Sequence, residues 1–197
     1  MKIRQLHVGK VYISILLCAI AVSGCSKLHE SNNLGGNSLL PPMADSEEWD
    51  VVRVSDGDTI VVRQTDGQEK KLRLCGVDAN EIKHGKQPGQ PLGLESKANL
   101  QRLVDEVNGK VLVTPVESDR YGRTVAEVFS SKNGIEKNFN SEQVLVGLAI
   151  VYPQYVKKCP NGDVFVRAEA IAQSNHAGFW GGNYQKPWDY RKQQRNR

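Results

Sequence analysis

The chain has 197 residues, and its 26 Lys and Arg against 22 Asp and Glu give a net charge of +4. That total does not describe a basic platform for nucleic acid. Three of the basic residues lie in residues 1–25 and five, with one acid, in 186–197, which leaves residues 26–185 with 18 basic and 21 acidic side chains. The four histidines (His7, His29, His84 and His176) lack metal-ligand spacing, which disfavours zinc hydrolases and histidine-based nucleases.

Residues 1–25 read as targeting sequence. Lys2, Arg4 and Lys10 precede an apolar run over Val11–Val22 that is too short to span a bilayer, and V-S-G-C ends it at Cys25. That ending resembles a bacterial lipobox, with Cys25 as the lipidated residue, and Ser26 after it resembles an outer-membrane lipoprotein. Residues 26–48, rich in Ser, Asn, Gly and Pro, read as a flexible tether. The expected organisation is therefore signal 1–25, tether 26–48, one domain over 49–185 and a basic tail over 186–197. The tail is expected to be either a weak, salt-sensitive attractor of nucleic acid or a disordered end. The expected location is an exported, membrane-anchored lipoprotein facing the periplasm or cell exterior.

Within the domain, Trp49–Val54 is β-rich and ends at the Asp56-Gly57 turn, Thr59–Arg63 is a second strand, and Asp66-Gly67 turns into a third over Lys70–Val77. Leu72 and Leu74 share one face of that strand, Arg73 and Cys75 the other. Arg73 and Asp78 are five residues apart, so they can reach one ligand only if the strand bends, and Gly76 is the residue that permits it. A Gly/Pro/Lys-rich loop over 83–93 leads to a helix from about Leu94 to Val107, stopped by Asn108-Gly109. Val111–Val116 and Val125–Phe129 are strands four and five. Asn140 is expected to cap a short helix ending at Gly147, and Asp163 a last helix stopped by Gly178. Trp180, Trp188 and Tyr190 are read as sealing the end of a barrel. Five short strands with an intervening helix predict an α+β, mainly β fold: a five-stranded OB-type Greek-key barrel with about three helices.

The chemistry gathers at strand ends. Asp58, Asp78 and Glu81 stand near Arg73, and the D-R-Y-G-R turn at Asp119–Arg123 adds further arginines. A lone aspartate at a turn ordinarily bonds local backbone, and Asp56 is read that way. A pair of carboxylates is different, because the two repel unless a proton or cation lies between them. All-oxygen ligands favour Ca²⁺, Mg²⁺ or Mn²⁺, and acids holding such a cation beside arginines suit phosphodiester hydrolysis.

The segments V-S-D-G-D-T, R-L-C-G-V-D-A-N-E, D-R-Y-G-R and G-L-A resemble, in order and spacing, the thermonuclease (staphylococcal nuclease-like) family, over roughly Val51 to Trp180. The resemblance implies calcium-dependent hydrolysis of DNA and RNA. It implies that Asp58 and Asp78 ligate the cation, with Ala79 lending its backbone carbonyl, and that Arg73, Glu81 and Arg123 are catalytic, Glu81 as the base and the arginines on the phosphate. Arg120 and Tyr121 would sit near a substrate phosphate, and Tyr155 and Tyr152 near a base. Here Ala79 and Asn80 replace the family's usual threonine and proline, so the turn that aims Glu81 needs another source of stiffness.

With Cys18 in the signal and Cys25 lipidated, Cys75 and Cys159 remain. An even pair in an exported domain favours a disulfide over two buried thiols. A monomer is expected. Two other functions compete with the nuclease: a non-catalytic OB-fold module that binds single strands, and an envelope protein whose acids only bind calcium. Clustered carboxylates argue against the first, Arg73 and Arg123 against the second.

Overall fold

The computed structural model describes residues 46–132 and 135–196. Cys25, the expected signal and most of the expected tether lie outside the described residues. Strand β1 begins at Glu47 and runs to Val54, so the last residues of the expected tether are paired chain. Among the described residues no helix is long and apolar enough to cross a membrane.

Strands β1, β2 (Thr59–Arg63), β3 (Glu69–Leu74), β5 (Lys110–Ser118) and β6 (Thr124–Lys132) form the barrel. Their order is β3-β2-β1-β5-β6, and a parallel pairing of β3 with β6, Arg73 opposite Val125, closes the ring. Closure removes the open sheet edges that would otherwise invite pairing with another chain. Alternate residues point inward: Ile60, Val62, Leu72, Leu74, Val111, Val113, Ala126 and Val128 are all buried. Pro115 is accommodated because the β5–β6 register slips between it and Glu117. Strand β7 (Ile135–Asn138), absent from the sequence reading, adds a hairpin to β6.

The third expected strand is broken where its parity demanded. Gly76 has φ +71°, in the left-handed region, and a Cβ there would lie 2.7 Å from the Cys159 sulfur. The chain thus leaves the barrel after Leu74 and starts β4 (Val77–Ala79), which pairs with β8 (Ala149–Val151), Asp78 opposite Ile150. Cys75 and Cys159 are joined by a disulfide across this turn, with Cα atoms 5.9 Å apart.

Among the described residues four α-helices surround the barrel: α1 (Gly93–Asp105), α2 (Phe139–Leu145), α3 (Gly162–Ser174) and α4 (Pro187–Arg195). Helix α1 buries Leu100, Leu103 and Val104. Two expected caps are corrected. Asn138, not Asn140, caps α2 by accepting from the Ser141 N–H at 3.2 Å. Asn140 is buried inside the helix, where its Oδ1 accepts from Val128 N and its Nδ2 donates to Cys75 O. Asn161 stands at the start of α3, while Asp163 lies in its first turn and pairs with Arg167. The segment read as a basic tail contains α4, begun by a buried Pro187 at its first turn.

Candidate active site

A cavity of about 780 Å³ opens where the β1–β2 turn, the β3–β4 turn and the β5–β6 turn meet α4. Thr59 lies opposite Arg73 in the barrel, so the residue before it, Asp58, reaches the end of β3. One Arg73 nitrogen bonds Asp78 Oδ1 at 2.7 Å and Asp58 Oδ2 at 3.0 Å, while the other donates to Leu74 O. Ala79 N donates to Asp58 Oδ2 at 2.7 Å, which ties β4 to the β1–β2 turn. The structure therefore joins Arg73, Asp58, Asp78 and Ala79 directly.

Glu81 follows β4 on the same wall. Its loop is held by reciprocal bonds with Gln90: Glu81 N donates to Gln90 Oε1 (3.0 Å) and Gln90 N to Glu81 O (2.8 Å). Asn80 Nδ2 donates to Pro91 O at 2.6 Å, and Gly93 lets α1 start against this loop, since a Cβ there would lie 2.5 Å from Glu81 O. These contacts supply the stiffness that the Ala79-Asn80 turn lacks in sequence.

Arg123, Arg120 and Tyr121 line the opposite wall. Asp119 accepts from the backbone N–H of Tyr121 and Arg123 and binds the Arg123 Nε at 2.7 Å, folding the D-R-Y-G-R turn. Burial works against the Asp119 charge, but the Arg123 contacts outweigh it and hold the carboxyl below its ordinary range. The two guanidiniums flank the exposed Tyr121 ring, at 5.0 and 5.6 Å from its centroid. Tyr152 and Tyr155 meet edge to face at the rim.

Sequence reasoning missed α4. Trp188 stacks on Tyr152 (centroids 4.8 Å apart, planes at 14°) and lines the cavity, so it is a wall of the site and not a seal of the barrel. Arg191 Nη1 donates to Glu81 Oε1 (2.7 Å) and Asp78 Oδ1 (3.1 Å), and its Nη2 to Asp78 Oδ2 (2.7 Å). Trp188, Arg191 and Arg195 all face the cavity at a spacing of three and four residues, one face of a helix. That spacing after Pro187 was the available signal.

Around Asp58 the carboxyls outnumber the guanidiniums bound to them. Asp56, Asp58 and Glu81 line this wall with Asp78 buried behind it, and Arg73 and Arg191 are the guanidiniums bound to Asp58, Asp78 and Glu81. Burial opposes the charge on both arginines, yet the aspartates around Arg73, and Asp78 with Glu81 around Arg191, raise both above the ordinary guanidinium value. Burial pushes Asp78 up against the pull of Arg73. Asp56 accepts from Asp58 N, as a turn aspartate should, but burial and the neighbouring Asp58 also push its carboxyl up to about 7. Among the described residues no three His, Cys, Asp or Glu side chains form a ready-made metal cage. The donor set nonetheless suits a hard divalent cation: carboxylate and backbone oxygens, no His or Cys competitor, and unbalanced negative charge.

A family profile described as staphylococcal nuclease homologue matches residues 71–182. The chain is 34% identical over 135 residues to a thermonuclease of Staphylococcus hyicus, covering 68% of this chain and 76% of that one. It is 34% identical over 164 residues to a micrococcal nuclease of Shigella flexneri (80% and 87% covered) and 33% over 146 residues to an uncharacterized endonuclease of Haemophilus influenzae (74% and 73%). By the profile match and by these relatives, the chain belongs to the staphylococcal nuclease homologue family.

Proposed function

We propose that this protein is a metal-dependent endonuclease that hydrolyses phosphodiester bonds of DNA and RNA. The observation that carries it is the convergence of Asp58, Arg73 and Glu81 on one wall of a cavity, with the buried Asp78 bonded to Arg73 behind them, while the other wall carries Arg123 and Arg120. Asp58 and Asp78, with the Ala79 carbonyl, would hold Ca²⁺, or Mg²⁺ or Mn²⁺ in its place. Such a cation supplies positive charge for the phosphate oxygens when bound. Water attacks phosphorus as Glu81 takes its proton; the new P–O bond replaces the bond to the leaving oxygen, which gains a proton from solvent. Arg73 and Arg123 oppose the charge that builds on the phosphoryl oxygens. Arg120 and Tyr121 bind a neighbouring phosphate, and Tyr152 and Tyr155 offer stacking faces to a base. A module that only bound single strands would have no use for buried acids that repel phosphate.

Incubation of the purified protein with plasmid DNA, single-stranded DNA and RNA, in calcium and then in chelator, tests this reading. Cleavage should require the metal. Glu81→Gln should lose about 10²–10⁴-fold in rate while calcium affinity by titration calorimetry stays near wild type. Full activity in Glu81→Gln would remove Glu81 as the base, and cleavage in chelator would remove the cation. The same proposal makes the enzyme an exported monomer anchored by lipid on Cys25, standing clear of the membrane on its tether. Cys25→Ser should then move activity from the membrane to the soluble fraction; retention in the membrane would show a different anchor.

A further inference from the structure

We propose that Arg191 is a positioning residue of this active site, through which the C-terminal helix holds Glu81 and Asp78 in one fixed geometry. The inference rests on the nuclease reading above for the roles of those two acids, and on the contacts of α4 for the rest.

Glu81 is a flexible carboxylate on a loop, and its side chain is about one-third exposed (34%). Among the described residues the hydrogen bond to that carboxylate comes from Arg191 Nη1. The same guanidinium grips both oxygens of Asp78, a side chain with no exposure at all. A planar fork sharing its donors between two carboxylates fixes their separation and orientation, which an ammonium on a flexible stem cannot do.

A strut positions only what it is itself anchored against, and α4 is anchored on the loop that carries Glu81. The Tyr190 hydroxyl donates to Pro88 O. Gln90, whose Oε1 holds Glu81 N, donates through Nε2 to Gln185 O at 2.8 Å, just before the helix. Trp188 fastens the helix to Tyr152 on the other side. Glu81 is thus tied to the C-terminal segment at its backbone and at its side chain.

The same guanidinium could instead be a plug that occupies the place of a cation. The charge on this wall favours the strut. With Arg73 and Arg191 both in place, the three carboxyls they bind, Asp58, Asp78 and Glu81, still outnumber the two guanidiniums, and Asp58 is paired with Arg73 and not with Arg191. One negative charge is left over for a cation, so the charge balance does not require Arg191 to leave.

The test uses the full-length protein as wild type, Arg191→Ala, Arg191→Lys and Lys192→Ala. The last removes the same charge from an exposed position on the same helix. The readouts are kcat and KM on single-stranded DNA in calcium, calcium affinity by calorimetry, and amide hydrogen exchange over residues 81–91 in chelator. Arg191→Ala should lose about 100-fold in kcat, the scale of an ångström-level misplacement. Its KM should stay within about threefold, since uniform binding is not what it removes, and exchange over 81–91 should be faster. Arg191→Lys should recover part of the kcat, and Lys192→Ala should match wild type. Equal or higher kcat in Arg191→Ala with tighter calcium would establish a plug and overturn the proposal. So would equal losses in Arg191→Ala and Lys192→Ala, or unchanged exchange over 81–91. If Arg191→Ala does not fold, wild-type kcat in Arg191→Lys overturns the fork. If the wild type cleaves no nucleic acid, the nuclease reading fails, and exchange in the metal-free protein still decides whether Arg191 holds the loop.

Discussion

Arg73→Met isolates the ion pairs at the end of β3, because methionine keeps most of the apolar stem and discards the charge. The Arg73 side chain is 13% exposed and holds Asp78 at 2.7 Å, Asp58 at 3.0 Å and Leu74 O at 2.9 Å. Removing one partner of such a buried cluster leaves the remaining charges uncompensated, which costs about 3–5 kcal/mol. In a domain of this size each kcal/mol moves Tm by about 2–4 °C, so the variant should melt roughly 6–20 °C below wild type in chelator. The loss should shrink when calcium is added. Without Arg73 the carboxyls of Asp58, Asp78 and Glu81 face Arg191 alone, so a cation that binds the folded state has more negative charge to meet. Ligand at 100 times its Kd contributes about 2.7 kcal/mol. Differential scanning calorimetry of both proteins, in chelator and in calcium, reads both effects. A variant that melts within 2 °C of wild type in chelator, with the same calcium response, would refute the reasoning: the pairs would then contribute nothing net.

Three further outcomes follow from other parts of the molecule. Glu127→Ala should strand three buried donors, Asn161 N, Asn161 Nδ2 and Asn138 Nδ2, and cost about 3 kcal/mol at roughly 1 kcal/mol each; urea titration should show a lower midpoint at constant slope. Burial pushes the Glu127 carboxyl up, so its contribution to stability is full below its unfolded value near about 4.3 and is lost as pH rises through the folded value. Wild type should therefore lose ground to Glu127→Gln between acid and neutral pH, and a pH-independent difference would contradict that. The Cys75–Cys159 bond spans 84 positions, so reductant should cost up to about 4–5 kcal/mol in the chain-entropy model and leave the Cys75→Ala/Cys159→Ala variant unchanged; a wild type indifferent to reductant would deny the bond that role.

The local content of the sequence was enough for most of the frame. Alternation of apolar and polar residues marked the barrel strands because a half-buried strand has period two, and Asp-Gly and Asn-Gly pairs marked the turns because glycine tolerates positive φ. The parity conflict between Arg73 and Asp78 even located the bend at Gly76, whose φ is +71°. Resemblance of four motifs then named Asp58, Arg73, Glu81, Arg120, Tyr121 and Arg123, which the cavity gathers. What the sequence by itself could not decide was what lies against each face. Glu127 alternates outward between Ala126 and Val128, and only the packing of α2 and α3 makes it a fully buried acid holding two asparagines. Asn138 and Asn140 are equivalent as cap candidates by residue type, and the choice belongs to the chain entering from β7. The contact of Arg191 with Asp78 spans 113 positions, and nothing in a basic dozen residues fixes where they dock. That is decided by Tyr190, Gln90 and Trp188 finding partners across the fold, because a short helix takes its place from tertiary contacts and not from its own propensity.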